Sequence, residues 1–458
     1  MKHSFEPTCL PKPVASISEL PIQIVTPHPE SPRKHSERKI KRLMKNIQTF
    51  SFVMPLLVDK DNRLIAGHAR LEAARRLEMT TVPVIRLEHL TPEQADAFRI
   101  ADNRLTEQAQ WDEVLLAKQL KALSILNLDF DIEATGFTVG EIDLKIEMLD
   151  LGVTGAASGG TDQADQWSLS AGAAVTQVGD VWHLGHHRLV CGNALDGRIY
   201  TILMVHGKAT MIVTDPPYNV KIDGHVGGKG AIKHREFAMA VGEMSEEEFI
   251  TFLYTVFLRA VEFSVDGSVH VVFMDWRHSF EILSAARRAY TSHLNTCVWA
   301  KPQAGMGSLY RSQYELAFIF KNGKAPHRNN VELGRFGRYR TNVWNYPGIR
   351  AMRNGEEGDL LALHPTVKPV KMIADVILDC SKRGDLILDP FLGSGTTLLA
   401  CERVGRVCRA IELDPLYVDT AIRRWQAMTG EDAVLESTGQ TFTKREQAAL
   451  AAQEVCRG

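Results

Sequence analysis

The sequence predicts an α/β protein of two domains: a large one on a mostly parallel sheet covered by helices on both faces, and a smaller one ahead of it. Three observations predict this. The 458 residues exceed one ordinary domain. Short apolar runs alternate with segments of helical spacing through most of the chain, the order that produces parallel strands joined by crossover helices. A seam at 152–174, GVTGAASGGTDQADQWSLSAGAA, is rich in Gly, Ala, Ser and Thr and poor in large apolar side chains, as flexible connectors are.

The elements follow in order. Residues 1–16 read as a disordered N-terminus, 17–150 as the small α/β domain with a helical tail, and 151–175 as the linker. The large domain takes 176–430, leaving 431–458 as a C-terminal tail. In the small domain MPLLVD (54–59) and TVPVIRLE (81–88) read as strands, and HARLEAARRLE has helical spacing in Ala69, Ala73, Ala74 and Leu77. TPEQADAFRIADNRL opens with a Thr cap and Pro at the first helical position. In the large domain strands are predicted at 210–214, 268–274, 296–300, 315–320, 385–389 and 407–412. Between the first two, Ser245 and Glu248 form a capping box ahead of an apolar helix. TTLLACERVG is a short helix closed by Gly405.

Composition narrows the class. At 45% hydrophobic and 24% charged residues the chain has ample material for large cores. No apolar run reaches the length of a membrane span, and MKHSFEPTCLPKP lacks a signal-peptide core, so a cytoplasmic protein without membrane contact is expected. The seven cysteines (9, 191, 297, 380, 401, 408, 456) form no Cys-x-x-Cys pair, which predicts reduced thiols and no metal site. Net charge is only −2, but seven Lys/Arg stand against one Glu in 33–45, and eight against Glu332 in 321–353. Such clusters suit phosphate contacts, and equally a solvated face.

In a parallel sheet ligands sit beyond the carboxyl ends of the strands. Two strand ends carry chemistry. After DLILD comes PFLGSGTT, in which Gly393 and Gly395 permit close backbone approach and Thr396 opens a helix. Glu412 ends the next strand, 17 residues beyond Gly395, near the spacing at which an acid bonds ribose hydroxyls. No Gly-Lys-Ser/Thr follows, so an adenosine ligand without a triphosphate is indicated, and S-adenosylmethionine fits. After MIVT comes DPPY. Pro216 and Pro217 stiffen the turn, which aims the Asp215 carboxylate and the Pro216 carbonyl at one point and stands Tyr218 beside it. Two converging acceptors suit an amino group with two hydrogens to donate, and an adjacent ring suits a planar base. Bonds that draw those hydrogens out of the base plane localise the nitrogen lone pair for in-line attack on a sulfonium methyl. A base within a duplex cannot reach such a turn, so it must be flipped out.

With these motifs the region 176–430 resembles the amino-directed DNA methyltransferases acting on adenine N6 or cytosine N4. The order TDPPYNV before DPFLGSGTT resembles the family's β group, a circular permutation of the Rossmann-like S-adenosylmethionine-dependent methyltransferase sheet. VGDVWHLGHHRLVCGNALD (178–196) resembles the opening segment, with Asn193 where the family usually has Asp. HPTVKP (364–369), carrying Thr366 and Lys368, resembles the segment that helps enclose the cofactor. WAKPQAGMGSLYRSQYELAFIFKNGK (299–324) resembles the middle strands. The resemblance implies a catalytic set of Asp215, Pro216, Pro217 and Tyr218. It implies a cofactor set of Asp389, Phe391, Gly393, Ser394, Gly395, Thr396, Glu412, Thr366, Lys368 and Asn193. A recognition segment at about 325–363 is implied, with Arg335, Arg338, Arg340 and Lys301 toward double-stranded DNA. Asp at the head of the motif leans toward adenine N6 over cytosine N4, and a restriction-modification setting is implied.

The N-terminal region resembles the ParB-like domain of partition proteins and of some phage-encoded fusions, through MPLLVDKDNRLIAGHARLEAARRL (54–77) and IADNRL (100–105). A bacterial or phage origin follows. Gly67, His68 and Arg70 stand at a strand-to-helix corner, and Asn103 and Arg104 would complete a polar pocket for a nucleotide or phosphate. The resemblance leaves open DNA binding or homodimer formation for this domain. It also leaves a rival reading for the whole: a DNA-binding regulator on a non-catalytic methyltransferase fold.

Overall fold

The computed structural model describes residues 16–27, 35–108, 111–126, 128–151, 163–165, 174–219, 242–302, 304, 309–331, 340–347 and 367–457. The chain divides into two compact units, Met1–Val153 and Thr154–Gly458.

The first unit comprises β1 (Ser18–Pro21), α1 (Glu37–Phe50), β2 (Leu56–Val58), β3 (Leu64–Ala66), α2 (His68–Arg76), β4 (Thr81–Arg86), α3 (Pro92–Gln108), α4 (Glu113–Ile125) and α5 (Val139–Leu151). Its sheet runs β1-β4-β2-β3, with β2 parallel to β4 and the other pairs antiparallel. Leu56, Val58, Leu64, Val82 and Val84 bury against Leu71 and Ala74 of α2. On the other side of α2, Ala69 and Ala73 receive Ile40 and Ile47 of α1. Helices α4 and α5 close a small core of their own around Leu116, Leu120, Ile142 and Ile146. The strand β1, which has four residues and ends in Pro21, was not expected, whereas β3 supplies the strand of the expected strand-to-helix corner at Gly67.

The second unit comprises β5 (Val181–Leu184), β6 (His187–Cys191), α6 (Gly197–Met204), β7 (Ala209–Thr214), α7 (Glu246–Glu262), β8 (Ser264–Met274), α8 (Ser279–Ala289), β9 (Ser292–Ala300), β10 (Tyr314–Lys321), β11 (Val343–Asn345), α9 (Val370–Cys380), β12 (Leu386–Asp389), α10 (Thr396–Val404), β13 (Val407–Glu412), α11 (Pro415–Thr429), β14 (Val434–Leu435) and α12 (Phe442–Arg457). One sheet runs β11-β9-β10-β8-β7-β12-β13-β6-β5-β14, and in it β10 and β5 run against the other strands. The expectation of a mostly parallel, doubly covered sheet is met.

Alternation along each strand builds the two layers. Met211, Val213, Val269, Val271, Ile387, Cys408 and Ala410 face α9, α10 and α11. Ile212, Leu388 and Ile411 face α6 and Ala260 of α7, while Val272 and Met274 face α7 and α8. Each fully buried Val, Leu or Ile contributes about 1.5–3 kcal/mol, so both layers are strongly held. From β12 the chain winds through α10 to β13, and from β7 through α7 to β8 on the other side. The neighbouring carboxyl ends of β7 and β12 therefore form the switch point at which such sheets open a cleft.

Two expected boundaries shift. Residues 431–458 add β14, paired with β5, and α12, whose Phe442 is fully buried against Trp182 at a centroid distance of 5.4 Å. The expected linker is also partly built into the fold: Arg424 Nη2 donates to the Ala164 carbonyl (2.7 Å), and the Val370 amide to Asp165 Oδ1 (3.0 Å). Val175 and Thr176 amides donate to the buried Asp419 carboxylate at 2.7 and 3.1 Å.

Candidate active site

β7 is buried along Met211–Thr214 and stops because Pro216 and Pro217 cannot donate to a ladder. Asn219, at φ 51°, closes the turn: its Oδ1 accepts the amides of Gly242 (3.0 Å) and Met244 (3.2 Å) and its Nδ2 donates to the Met244 carbonyl (2.8 Å). The motif is thereby tied to the start of α7. Within the turn Tyr218 Oη donates to Asp215 Oδ1 at 2.5 Å. The other oxygen, Oδ2, accepts from Lys368 Nζ at 2.5 Å, and Lys368 also donates to Tyr218 Oη at 3.2 Å. A carboxylate offers about four lone-pair sites; these two bonds occupy one on each oxygen and leave the other pair open to donors from the cleft.

Sequence reasoning missed a second carboxylate here. Glu315 of β10 is buried, lies 3.1 Å from Lys368 Nζ, and pairs through its other oxygen with Lys301 at the end of β9. Burial would raise the Glu315 carboxyl, but Lys368 and Lys301 hold it below the usual range. Burial would lower Lys368, and Asp215 and Glu315 raise it instead. Asp215 is pushed up by burial against the pull of Lys368.

The glycine corner stands beside this turn. Thr214 Oγ1 donates to Asp389 Oδ1 at 3.0 Å, bonding the last residue of β7 to the last of β12. The same oxygen accepts the Phe391 amide (3.0 Å), and burial pushes the Asp389 carboxyl up to about 6. Phe391 and Tyr218 pack against one aromatic cluster under α7 and α8. Gly393 (φ 56°) donates its amide to Glu412 Oε2 at 2.8 Å, and a Cβ built there meets nothing within 4 Å, so this corner faces open space. Gly395 (φ 96°) lies against α11, where a Cβ would come within 2.9 Å of Ala421 Cβ. Ser394 is buried and holds Arg424 through its carbonyl (2.7 Å) and Oγ (3.1 Å), and Thr396 begins α10. Glu412 Oε1 accepts the Asp414 amide at 2.9 Å, and burial pushes its carboxyl up to about 7. The Gly192 amide donates to the Glu412 carbonyl (2.9 Å), which sets Asn193 at the same edge; its Oδ1 caps the Leu195 amide at 2.9 Å.

The structure thus gathers Asp215, Pro216, Pro217 and Tyr218 at the end of β7 and Asp389, Phe391, Gly393, Ser394, Gly395, Thr396, Glu412 and Asn193 at the neighbouring ends of β12, β13 and β6. Lys368 joins the first group, not the glycine corner. Arg340 and Lys301, expected on DNA phosphates, are turned to internal partners. Arg340 Nε lies 2.8 Å from Asp379 Oδ2 and its Nη1 donates to Tyr346 Oη at 2.7 Å, while Lys301 pairs with buried Glu315. A half-buried guanidinium between helix carboxylates is more stable there than it would be unpaired. Thr366, Arg335 and Arg338 lie outside the described residues.

In the N-terminal unit Gly67 (φ 104°) precedes α2, so the turn expected at Gly67-His68 is present. Arg70 Nη1 donates to the Met54 carbonyl at 2.8 Å; burial lowers its pKa, and Asp102 of α3 opposes this. The side chains of Asn103 and Arg104 lie outside the described residues. Among the described residues no cluster of His, Cys, Asp and Glu is placed to hold a metal, and no helix is long and apolar enough to cross a membrane.

The fold defines a large α/β domain in which the carboxyl ends of β7 and β12 are adjacent, joined to a separate small α/β unit. Comparison with known proteins makes the class specific. The DNA methylase family matches residues 209–423, and the ParB N-terminal domain family matches residues 10–103. The chain thus carries a domain of the N6-adenine/N4-cytosine DNA methylase family behind an N-terminal ParB-like domain. It is 24% identical over 227 residues to the type II methyltransferase M2.MboI of Moraxella bovis, covering 48% of this chain and 81% of that protein. It is 40% identical over 74 residues to the ParB-like nuclease domain-containing protein YnaK of Escherichia coli K12, covering 16% of this chain and 85% of that one. Among solved structures, that of the M1.HpyAVI–SAM complex is 21% identical with a TM-score of 0.36, covering 52% of this chain and 98% of that one.

Proposed function

We propose that this chain transfers a methyl group from S-adenosylmethionine to the exocyclic amine of a base flipped from double-stranded DNA, and that the base is adenine. The observation that carries this is the Thr214–Asp389 bond of 3.0 Å, which holds the DPPY turn and the glycine corner side by side. When bound, the cofactor supplies an electrophilic methyl on a sulfonium. Gly393 and Gly395 would let the backbone approach it, Asp389 and Phe391 would flank it, and Glu412 would accept its ribose hydroxyls. The open face at Gly393 and the partly desolvated Glu412 carboxylate fit such a ligand.

On the other side Asp215 and the Pro216 carbonyl would accept the two amine hydrogens, drawing them from the base plane and freeing the nitrogen lone pair. Tyr218 would stack on the base. Aspartate at position 215, in place of serine, favours adenine N6 over cytosine N4. The β3–α2 corner at Gly67, His68 and Arg70 would take a phosphate-bearing ligand, since backbone amides at a helix start attract anions.

Labelled methyl from S-adenosylmethionine offered to unmethylated duplex DNA, RNA and protein in parallel tests the substrate class. Label in DNA alone is expected, and label in RNA or protein at the same rate would overturn the reading.

A further inference from the structure

We propose that Lys368 is a positioning residue of the methyl-transfer site, and that Glu315 is the counter-ion that keeps it paired through the whole reaction. This rests on the reading of Asp215 as acceptor of the target amine's hydrogens.

The geometry is specific. Lys368 is 4% exposed. An ammonium has three hydrogens to donate. Asp215 Oδ2 (2.5 Å) and Tyr218 Oη (3.2 Å) accept from Lys368 Nζ, and Glu315 Oε2 lies 3.1 Å from it as an ion-pair partner. It also lies over the rings of Phe273 (5.1 Å), Tyr218 (5.6 Å) and Trp299 (6.0 Å), an aromatic surround that favours a cation. It therefore sets the rotation of the Asp215 carboxylate and the position of the Tyr218 hydroxyl together, the two groups that would meet the base.

Charge bookkeeping gives Glu315 its role. Asp215 and Glu315 are balanced by Lys368 and Lys301 before transfer. In the reaction the amine nitrogen bonds the methyl carbon, the carbon–sulfur bond breaks with its pair going to sulfur, and the nitrogen gives a proton to Asp215. Asp215 is then neutral. Without Glu315, the buried Lys368 ammonium would lose the charge of a neighbouring carboxylate just as Asp215 is neutralised, a costly change. With it, the ammonium keeps a carboxylate 3.1 Å away. The groups facing Asp215 are Tyr218 in its own turn, Lys368 ahead of α9 and Glu315 on β10, with Asp389 on β12 nearby. Asp275, after β8, acts on Tyr218, and Lys301, following β9, acts on Glu315.

The test is single-turnover methyl transfer to duplex DNA between about pH 5 and 9, with cofactor affinity measured separately, in full-length wild type, Lys368→Met, Lys368→Arg and Glu315→Gln. Lys368→Met should slow transfer about 100-fold with cofactor affinity changed less than about threefold, and Lys368→Arg should restore part of the rate. In Glu315→Gln the acidic limb of the rate profile should move to lower pH by about one unit, because a negative charge that opposes ionisation of Asp215 is gone. Unchanged transfer in Lys368→Met would overturn the proposal, as would an unmoved limb in Glu315→Gln with rate and cofactor affinity falling together. If wild type transfers no methyl to DNA, the reading of the site falls, and the proposal falls with it.

Discussion

Glu412 ends β13 with a backbone amide on each carboxylate oxygen, yet burial pushes its carboxyl up to about 7 from an ordinary 4.5. A raised acid holds its proton in the folded chain after the unfolded chain has released it. Its contribution to stability is therefore present below about 4.5 and is lost as pH rises to about 7. With Glu412 in the proposed role, cofactor binding would have the opposite sign, because ribose hydroxyls would need the ionised carboxylate as acceptor. Affinity for S-adenosylmethionine should rise as pH increases through about 7, and Glu412→Gln should flatten that dependence and weaken binding. Calorimetric titration across this range checks it; a pH-independent affinity in wild type would remove Glu412 from the ribose. At this scale the sequence was informative where a single stretch folds into one turn, as in DPPY and in GSG ahead of α10. It was silent about Glu315, because that residue meets Asp215 only through Lys368, 153 positions away in the chain.

At the scale of elements, the corner from β12 to α10 depends on close backbone approach. Gly395 takes φ 96°, and an added Cβ would lie 2.9 Å from Ala421 Cβ and 3.0 Å from its Cα on α11. Neither atom belongs to a flexible side-chain end, so α11 itself must move. Gly395→Ala should destabilise the second unit by about 1–3 kcal/mol and weaken cofactor binding, read as a lower denaturant midpoint and a higher Kd. An unchanged midpoint would show that the corner tolerates the shift. The central strands were legible because each is an apolar run bounded by polar turn residues. β5, β6, β11 and β14 were not, since His183, His187 and Arg188 interrupt the first pair and the others have only three and two residues. The same shortness hid how α12 completes the domain: its Phe442 joins the core next to β14, which pairs with β5.

At the scale of the whole molecule, the two units have separate apolar cores, one around Leu56, Val84 and Leu71 and the others around the ten-stranded sheet. Calorimetry should accordingly show two unfolding transitions. Cofactor at 100 times its Kd should stabilise only the transition of the second unit, by about 2.7 kcal/mol, and a shift of both would contradict binding confined to that unit. The bonds of Ala164 and Asp165 were not legible in the sequence, because they depend on Arg424 and Val370 from distant helices. The most direct test of the central claim is mass spectrometry of nucleosides released from duplex DNA after reaction with S-adenosylmethionine, with wild type and Asp215→Ala run together. Wild type should yield N6-methyladenine and the variant at least about 100-fold less; equal product from both would exclude Asp215 from the chemistry.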